Sequence, residues 1–258
     1  MNELKIGAQL FAFRDYLIGK SESEISEFLE KIRSLGYDAI QISGIGEVNP
    51  KTAGIYKRVC ESLGLEICAT HVSLGELEND IEWIIQYHRM WGCPYLGVGS
   101  IPEPERNLHG ALAFAKKYNA IGEKLKAAGL ALFYHNHLFE FQKYSGRTLM
   151  DILYDEFDER YVEFELDTYF VQAGGANPVD WIYKLGGRMS VIHLKDMAVT
   201  DGCAHIAALG DGNLCWKNII KACRETKVKY AVVELHQDMQ DPVGALKTSI
   251  DYLKKSVL

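Results

Sequence analysis

The 258-residue chain predicts a single (β/α)8 barrel spanning residues 1–258, on three observations. Short runs rich in apolar, β-branched and aromatic residues alternate with stretches of helical period, eight times over. The runs are nearly all apolar, as parallel strands covered on both faces must be. The length matches the about 250 residues that one such barrel takes. A doubly wound open sheet is the rival, but the first strand–helix turn lacks that class's GxGxxG loop.

Each pair has its own justification. KIGAQL is the first strand, and the helix after Ser21 opens on a capping box with Glu24 and stops at Gly36. AIQIS is the second strand; its helix runs from Pro50 to Leu63 and stops at Gly64. LEICATH is the third, followed by one helix, ELENDIEWIIQYHRMWG. YLGVGS is the fourth, with a long helix from about Glu103 to Ala128 before Gly129. LALFYHNH is the fifth, with a helix from about Thr148 to Phe157. YVEFELD is the sixth, with a helix from Pro178 to Leu185; MSVIHLKD is the seventh, with a helix from Leu214 to Thr226. YAVVELH is the eighth, with a helix from Pro242 to Val257. No linker or composition shift divides the chain.

Composition narrows the function. A net charge of −7 argues against a nucleic-acid surface, which needs clustered positive charge. No apolar stretch approaches the ~20 residues that span a bilayer. The start MNELKIGAQL lacks a basic region followed by an apolar core, so a cytoplasmic protein is expected. Cys60, Cys68, Cys93, Cys203, Cys215 and Cys223 show no CxxC and no regular framework, which predicts free thiols.

Four polar residues carry the functional signal. His135 closes ALFYH, Asp167 closes EFELD, His193 closes SVIH and Glu234 closes YAVVE. Barrel chemistry sits at the C-terminal strand ends, and two His, one Asp and one Glu there suit a divalent metal ion. Alternation puts His135 with His137, Glu163 and Glu165 with Asp167, His193 with Lys195, and Glu234 with His236. Gln9, Gln41, Ser43 and His71 stand near the ends of earlier strands. Bland readings exist: a strand-end His is often only hydrogen-bonded, Asp167 could cap the next helix, and Lys195 could pair with Glu234. Four such residues at four successive strands favour the metal.

These residues lead to a resemblance. The chain resembles the sugar phosphate isomerase/epimerase family with the xylose-isomerase-like barrel, in particular a branch with a YHNHxxEF signature. That signature stands here as Tyr134, His135, Asn136, His137, Glu140 and Phe141. ELDTYFVQAGG, VIHLKDM, GDGNLCW and VVELH follow in the family's order. The resemblance spans the whole chain and implies a divalent ion (Mn²⁺, Mg²⁺, Co²⁺ or Zn²⁺) held by Asp167, His193 and Glu234. His135 stands where many members carry a fourth ligand, a glutamate. In the family's epimerases two metal-bound glutamates move the protons; here only Glu234 remains, and Glu140, His135 or His137 must stand in for the other. Catalytic candidates are therefore Glu234, Glu140 and His137, and metal candidates His135, Asp167, His193 and Glu234.

A carboxylate base beside a divalent ion can take the proton next to a carbonyl and leave an enediolate. Its return isomerises or epimerises a sugar or keto-sugar; loss of a β-oxygen makes the protein a lyase, such as an inosose-type dehydratase or a keto-glycoside-cleaving enzyme. His71 and Lys195 are candidates for substrate oxygens; Trp216 and Phe13 could offer an apolar wall to a sugar ring, but core packing is the favoured reading of both. The glycine-rich GDGN segment after the seventh strand carries Asp211 and no adjacent Arg or Lys, which favours a substrate without phosphate. A non-catalytic sugar-binding barrel and a DNA-acting metal barrel are further alternatives, the second opposed by the acidic charge. The expected partner is a small sugar, with no nucleic acid or membrane. Trp83, Tyr87 and Trp91 form one helical stripe that either meets a second copy in a homo-oligomer or packs on the barrel.

Overall fold

Eight parallel strands close a barrel in sequence order, each paired with its neighbours and the eighth with the first, in a computed structural model that describes residues 4–236 and 239–257. They are β1 (Lys5–Gln9), β2 (Ala39–Ile42), β3 (Glu66–His71), β4 (Tyr95–Val98), β5 (Ala131–His135), β6 (Val162–Asp167), β7 (Val191–Leu194) and β8 (Tyr230–Val233). The helices are α1 (Glu22–Leu35), α2 (Pro50–Leu63), α3 (Leu74–Asn79), α4 (Ile81–Trp91), α5 (Leu108–Ala127), α6 (Leu149–Glu156), α7 (Thr168–Ala173), α8 (Pro178–Lys184), α9 (Trp216–Glu225) and α10 (Pro242–Ser256).

Local chemistry sets many of the element ends. Ser21 and Glu24 form the expected capping box of α1, and Gly36 and Gly64 end α1 and α2 in the left-handed conformation that glycine adopts without strain. The helix expected after β3 is instead two. Asp80 leaves helical geometry, with φ −127° and ψ 26°, and separates α3 from α4. The helix expected from about Glu103 begins as a 3₁₀ turn, Glu103–Glu105, and becomes α5 only at Leu108. Several features have no counterpart in the sequence reading, and two of them follow β6 and β7 directly. One is the short helix α7. The other is an antiparallel hairpin, Asp196–Thr200 with Cys203–Ala207, that leaves the barrel directly after β7. Its Asp201–Gly202 turn has positive φ at both residues, the combination a tight hairpin favours.

The barrel interior is layered. Ala39, Cys68, Ala69, Tyr95, Phe133, Val191 and Val232 form one apolar cluster inside it. Gly97 is required here, because a Cβ would collide with the ring and carbonyl oxygen of Phe133. Two residues further along the same strands come Gln41, His71, His135, His193 and Glu234, so the interior turns polar toward the C-terminal end. Outside the strands the helices cover a second, larger core. Trp83 and Trp91 donate to the carbonyls of Val48 and Ala53, and Tyr87 is buried, so that stripe packs on the barrel. All six cysteines are free thiols. No helix among the described residues is long and apolar enough to cross a membrane.

Candidate metal centre

Four side chains converge at the C-terminal mouth, and three of them, His135, Asp167 and His193, have their second polar atom held by a neighbour. His135 ends β5, and its Nδ1–H donates to the Gly99 carbonyl at 3.0 Å. That leaves a lone pair on Nε2, 3.5 Å from Asp167 Oδ2 and 3.8 Å from Glu234 Oε2. Asp167 ends β6 and caps α7, with Oδ1 accepting the Phe170 N–H at 3.1 Å. Its own N–H donates to Asn136 Oδ1 at 3.0 Å. His193 turns Nε2 toward two acceptors, Gln41 Oε1 at 2.5 Å and Glu165 Oε1 at 3.1 Å. Its Nδ1 lies 2.6 Å from Glu234 Oε2, without the alignment of a hydrogen bond.

His135 Nε2, Asp167 Oδ2, His193 Nδ1 and Glu234 Oε2 are all buried and make no aligned hydrogen bond, although the two carboxylate oxygens are ion-paired with Lys195. One ligand atom from each residue fits within a 4.8 Å group. Buried polar atoms are rarely left without a hydrogen bond, and two imidazole nitrogens facing two carboxylate oxygens is a pattern that a metal ion resolves. Two imidazole nitrogens and two carboxylate oxygens suit a divalent ion such as Zn²⁺, Mn²⁺ or Co²⁺.

The chain matches the family described as the xylose isomerase-like TIM barrel over residues 29–256. It belongs to that family. No curated protein sequence matches it. Among solved structures, a sugar phosphate isomerase/epimerase from Parabacteroides distasonis is similar at 24% identity over 98% of both chains, with a TM-score of 0.79. The 3-keto-D-glucoside 4-epimerase from E. coli is similar at 18% identity over 98% of this chain and 99% of that one, TM-score 0.72. A candidate 3-DHS dehydratase of petrobactin synthesis from Bacillus anthracis is similar at 18% identity over 98% of this chain and all of that one (100%), TM-score 0.73. At these identities the likeness is one of fold.

On this family barrel, Lys195 reaches into the same group. Its Nζ lies 2.7 Å from Asp167 Oδ2 and 2.8 Å from Glu234 Oε2, and 4.6 Å above the Phe170 ring. Burial opposes its charge, but Asp167 and Glu234 outweigh that and hold its pKa above the usual lysine range. The two carboxyls show the converse: burial would raise them, and Lys195 foremost keeps both below the ordinary range.

A second polar group lies beneath. Glu165 accepts from His71 Nε2 at 2.5 Å and from Gln41 Nε2 at 2.8 Å, besides facing His193. Burial works against its charge, yet His193 and His71 hold it well below the usual carboxylate range. Alternation places Glu165 on the face of Asp167, but its partners come from β2, β3 and β7, which no local pattern reveals. His71 keeps 12% side-chain exposure and, with Ser43, Gly44, Ile45 and Thr70, lines a cavity of about 350 Å³.

His137 joins the centre's edge. Its ring lies 4.9 Å from that of His135 and 4.7 Å from that of Phe170, and its buried Nδ1 has no partner. Burial, then His135, pushes its pKa down to about 3. Three candidates stand away from the centre. Glu140 is fully buried and does not reach the four-residue group; its carboxylate accepts from the Tyr134 hydroxyl at 2.5 Å and the His137 N–H at 2.9 Å. Trp216 is 1% exposed and offers no wall to a ligand; its Nε1–H donates to Asp196 Oδ2 at 2.6 Å. Phe13 likewise fills the core.

Asp196 organises the glycine loop that follows the hairpin. Its carboxylate accepts the N–H groups of Gly210 at 2.9 Å, Gly212 at 3.3 Å, Leu214 at 3.2 Å and Met197 at 2.8 Å. A loop of this kind can cradle a phosphate with its amides. Here the chain's own carboxylate takes that place.

Proposed function

We propose that this protein is a divalent-metal-dependent isomerase or epimerase acting on a non-phosphorylated sugar or keto-sugar by proton abstraction through an enediolate. The convergence of two imidazole nitrogens and two carboxylate oxygens within 4.8 Å of one another carries the reading. The family, and solved neighbours that include epimerases, support it. The Asp196-filled loop supports the absence of a phosphate.

His135, Asp167, His193 and Glu234 would hold the ion. When bound, it supplies the Lewis-acid charge that acidifies a C–H beside a carbonyl. Glu234, kept ionised by Lys195 and His193, is the carboxylate that accepts the proton. His137, neutral and with Nδ1 unpartnered, stands on the Phe170 side as the second proton carrier in place of Glu140. Lys195 and His71 are the groups placed to bind substrate oxygens. Phe139 and Phe170 flank the His137 ring.

The test is metal content of the purified protein beside Asp167→Ala and His193→Ala. About one divalent ion per chain, lost in both variants, supports the centre and leads to solvent-deuterium uptake by keto-sugars. No bound ion after incubation with Mn²⁺, Co²⁺ or Zn²⁺ removes the mechanism and leaves a sugar-binding barrel. Product mass separates the remaining reading on this scaffold: an isomerase or epimerase conserves mass, whereas a dehydratase loses water.

A further inference from the structure

We infer that Glu165, with Gln41, is a positioning residue: it fixes the His193 ring so that Nε2 carries the proton and Nδ1 faces the metal ion. This rests on the metal reading above and adds a role for a residue outside the four ligands.

The argument is one of donors and acceptors. A neutral imidazole has one N–H and one lone pair. His193 Nε2 faces Gln41 Oε1 at 2.5 Å and Glu165 Oε1 at 3.1 Å, and both are acceptors. A lone pair there would oppose two oxygens, so Nε2 carries a proton; Nδ1 faces only Glu234 Oε2, itself a candidate ligand, so Nδ1 is the nitrogen that can give up its proton to face a metal ion. Gln41 cannot present its other face, because its Nε2 donates to Glu165 Oε1 at 2.8 Å. Glu165 is itself fixed from the far side by His71 Nε2 at 2.5 Å. The chain of contacts runs from β3 through β6 to β7, buried throughout except for the edge of His71. Such carboxylate–histidine–metal arrangements orient the ligand and raise its basicity.

The inner group could be mistaken for a second metal site, since His71, Glu165 and His193 also lie within ligand distance of one another. The two groups differ in satisfaction. Each of the four outer residues has a buried atom that makes no aligned hydrogen bond, whereas neither Glu165 nor His71 nor Gln41 has one. The outer group holds its carboxylates with an ammonium that a metal ion can replace, and the inner one is complete without a cation.

The experiment uses the full chain with Co²⁺ or Zn²⁺ alone as probe. Wild-type protein should bind one ion. In Zn²⁺-loaded, ¹⁵N-histidine-labelled protein, the His193 ring should show Nδ1 ligated and Nε2 protonated. Glu165→Gln, which keeps the shape and removes the charge, should weaken Co²⁺ binding by about 10- to 100-fold. Gln41→Leu, which leaves every charge in place, should weaken it in the same direction and serves if Glu165→Gln does not fold. Ligation through Nε2, unchanged affinity in the folded variants, or two ions per chain would overturn the inference while leaving the metal centre standing. No ion in the wild type would overturn both.

Discussion

Lys195 Nζ lies 2.7 Å from Asp167 Oδ2, one of the four candidate ligand atoms of the centre. It lies 2.8 Å from Glu234 Oε2, a second of them. The lysine therefore supplies the positive charge that the paired carboxylates need, at the oxygens a metal ion would use. Ammonium and metal compete for the same acceptors. Lys195→Met should lower the stability of the metal-free protein by about 3 kcal/mol, because it leaves buried carboxylates uncompensated. It should also strengthen Mn²⁺ binding, by about tenfold. Thermal melts with and without Mn²⁺ check both, as a lower starting Tm and a larger metal-induced rise. Weaker Mn²⁺ binding in the variant would show that the lysine supports the ion rather than competing with it.

Asp196 accepts four backbone N–H groups and the Trp216 indole. Removing a charged acceptor from buried donors costs about 1–3 kcal/mol per orphaned group. Asp196→Ala should therefore destabilise the protein by about 3 kcal/mol or more. It should also shift Trp216 emission to the red as water reaches the loop. Inorganic phosphate should not raise the Tm of the wild type. A saturable rise at millimolar phosphate would refute the non-phosphorylated substrate reading.

The barrel was legible because its strands and helices carry different periods, and the strand-end residues because each closes an apolar run. What escaped was non-local or contextual. Glu165 meets His71 and Gln41 across 94 and 124 residues of sequence, so its inward direction could be read but its partners could not. Glu140 sits three residues after His137, a spacing that fits either a catalytic approach or a local bond; the 3₁₀ turn Phe139–Phe141 makes it local. Trp216 begins a helix beside a glycine loop, and only the position of Asp196 shows that it faces inward. The hairpin after β7 did have a cue, Asp201–Gly202, between segments too polar to resemble barrel strands.

Gly97 sits in β4 with Phe133 of β5 packed directly over it. Gly97→Ala puts a methyl group against both a ring and a backbone carbonyl, and only the ring can move. The expected cost is about 2–3 kcal/mol from overpacking. The loss should be read from urea unfolding of the variant. A cost near zero would mean that the strands of the barrel part more easily than their close packing indicates. The neighbouring Gly99 carbonyl holds His135, so the variant should also weaken metal binding.

His88 and Glu140 should give the folding stability opposite pH slopes. His88 is buried in α4; its ring meets the Thr70 hydroxyl at 3.0 Å and the Cys93 carbonyl at 2.9 Å, and burial pushes its pKa down to about 4. Its unfolded value is near 6.5. Folding then favours the neutral form, so this contribution is complete above about pH 6.5 and is lost as pH falls toward 4. Glu140 is the reverse. Burial raises it to about 7, against the lowering effect of the Tyr134 hydrogen bond, from an ordinary 4.5. Its contribution is complete below about pH 4.5 and is lost as pH rises through 7. Each amounts to about 3 kcal/mol across its window. Urea unfolding from pH 4 to 7.5 of wild type, His88→Gln and Glu140→Gln separates them. Relative to His88→Gln, the wild type should lose its advantage on acidification. Relative to Glu140→Gln, it should lose ground as pH rises. Parallel curves for all three proteins would mean that neither buried group titrates differently on folding.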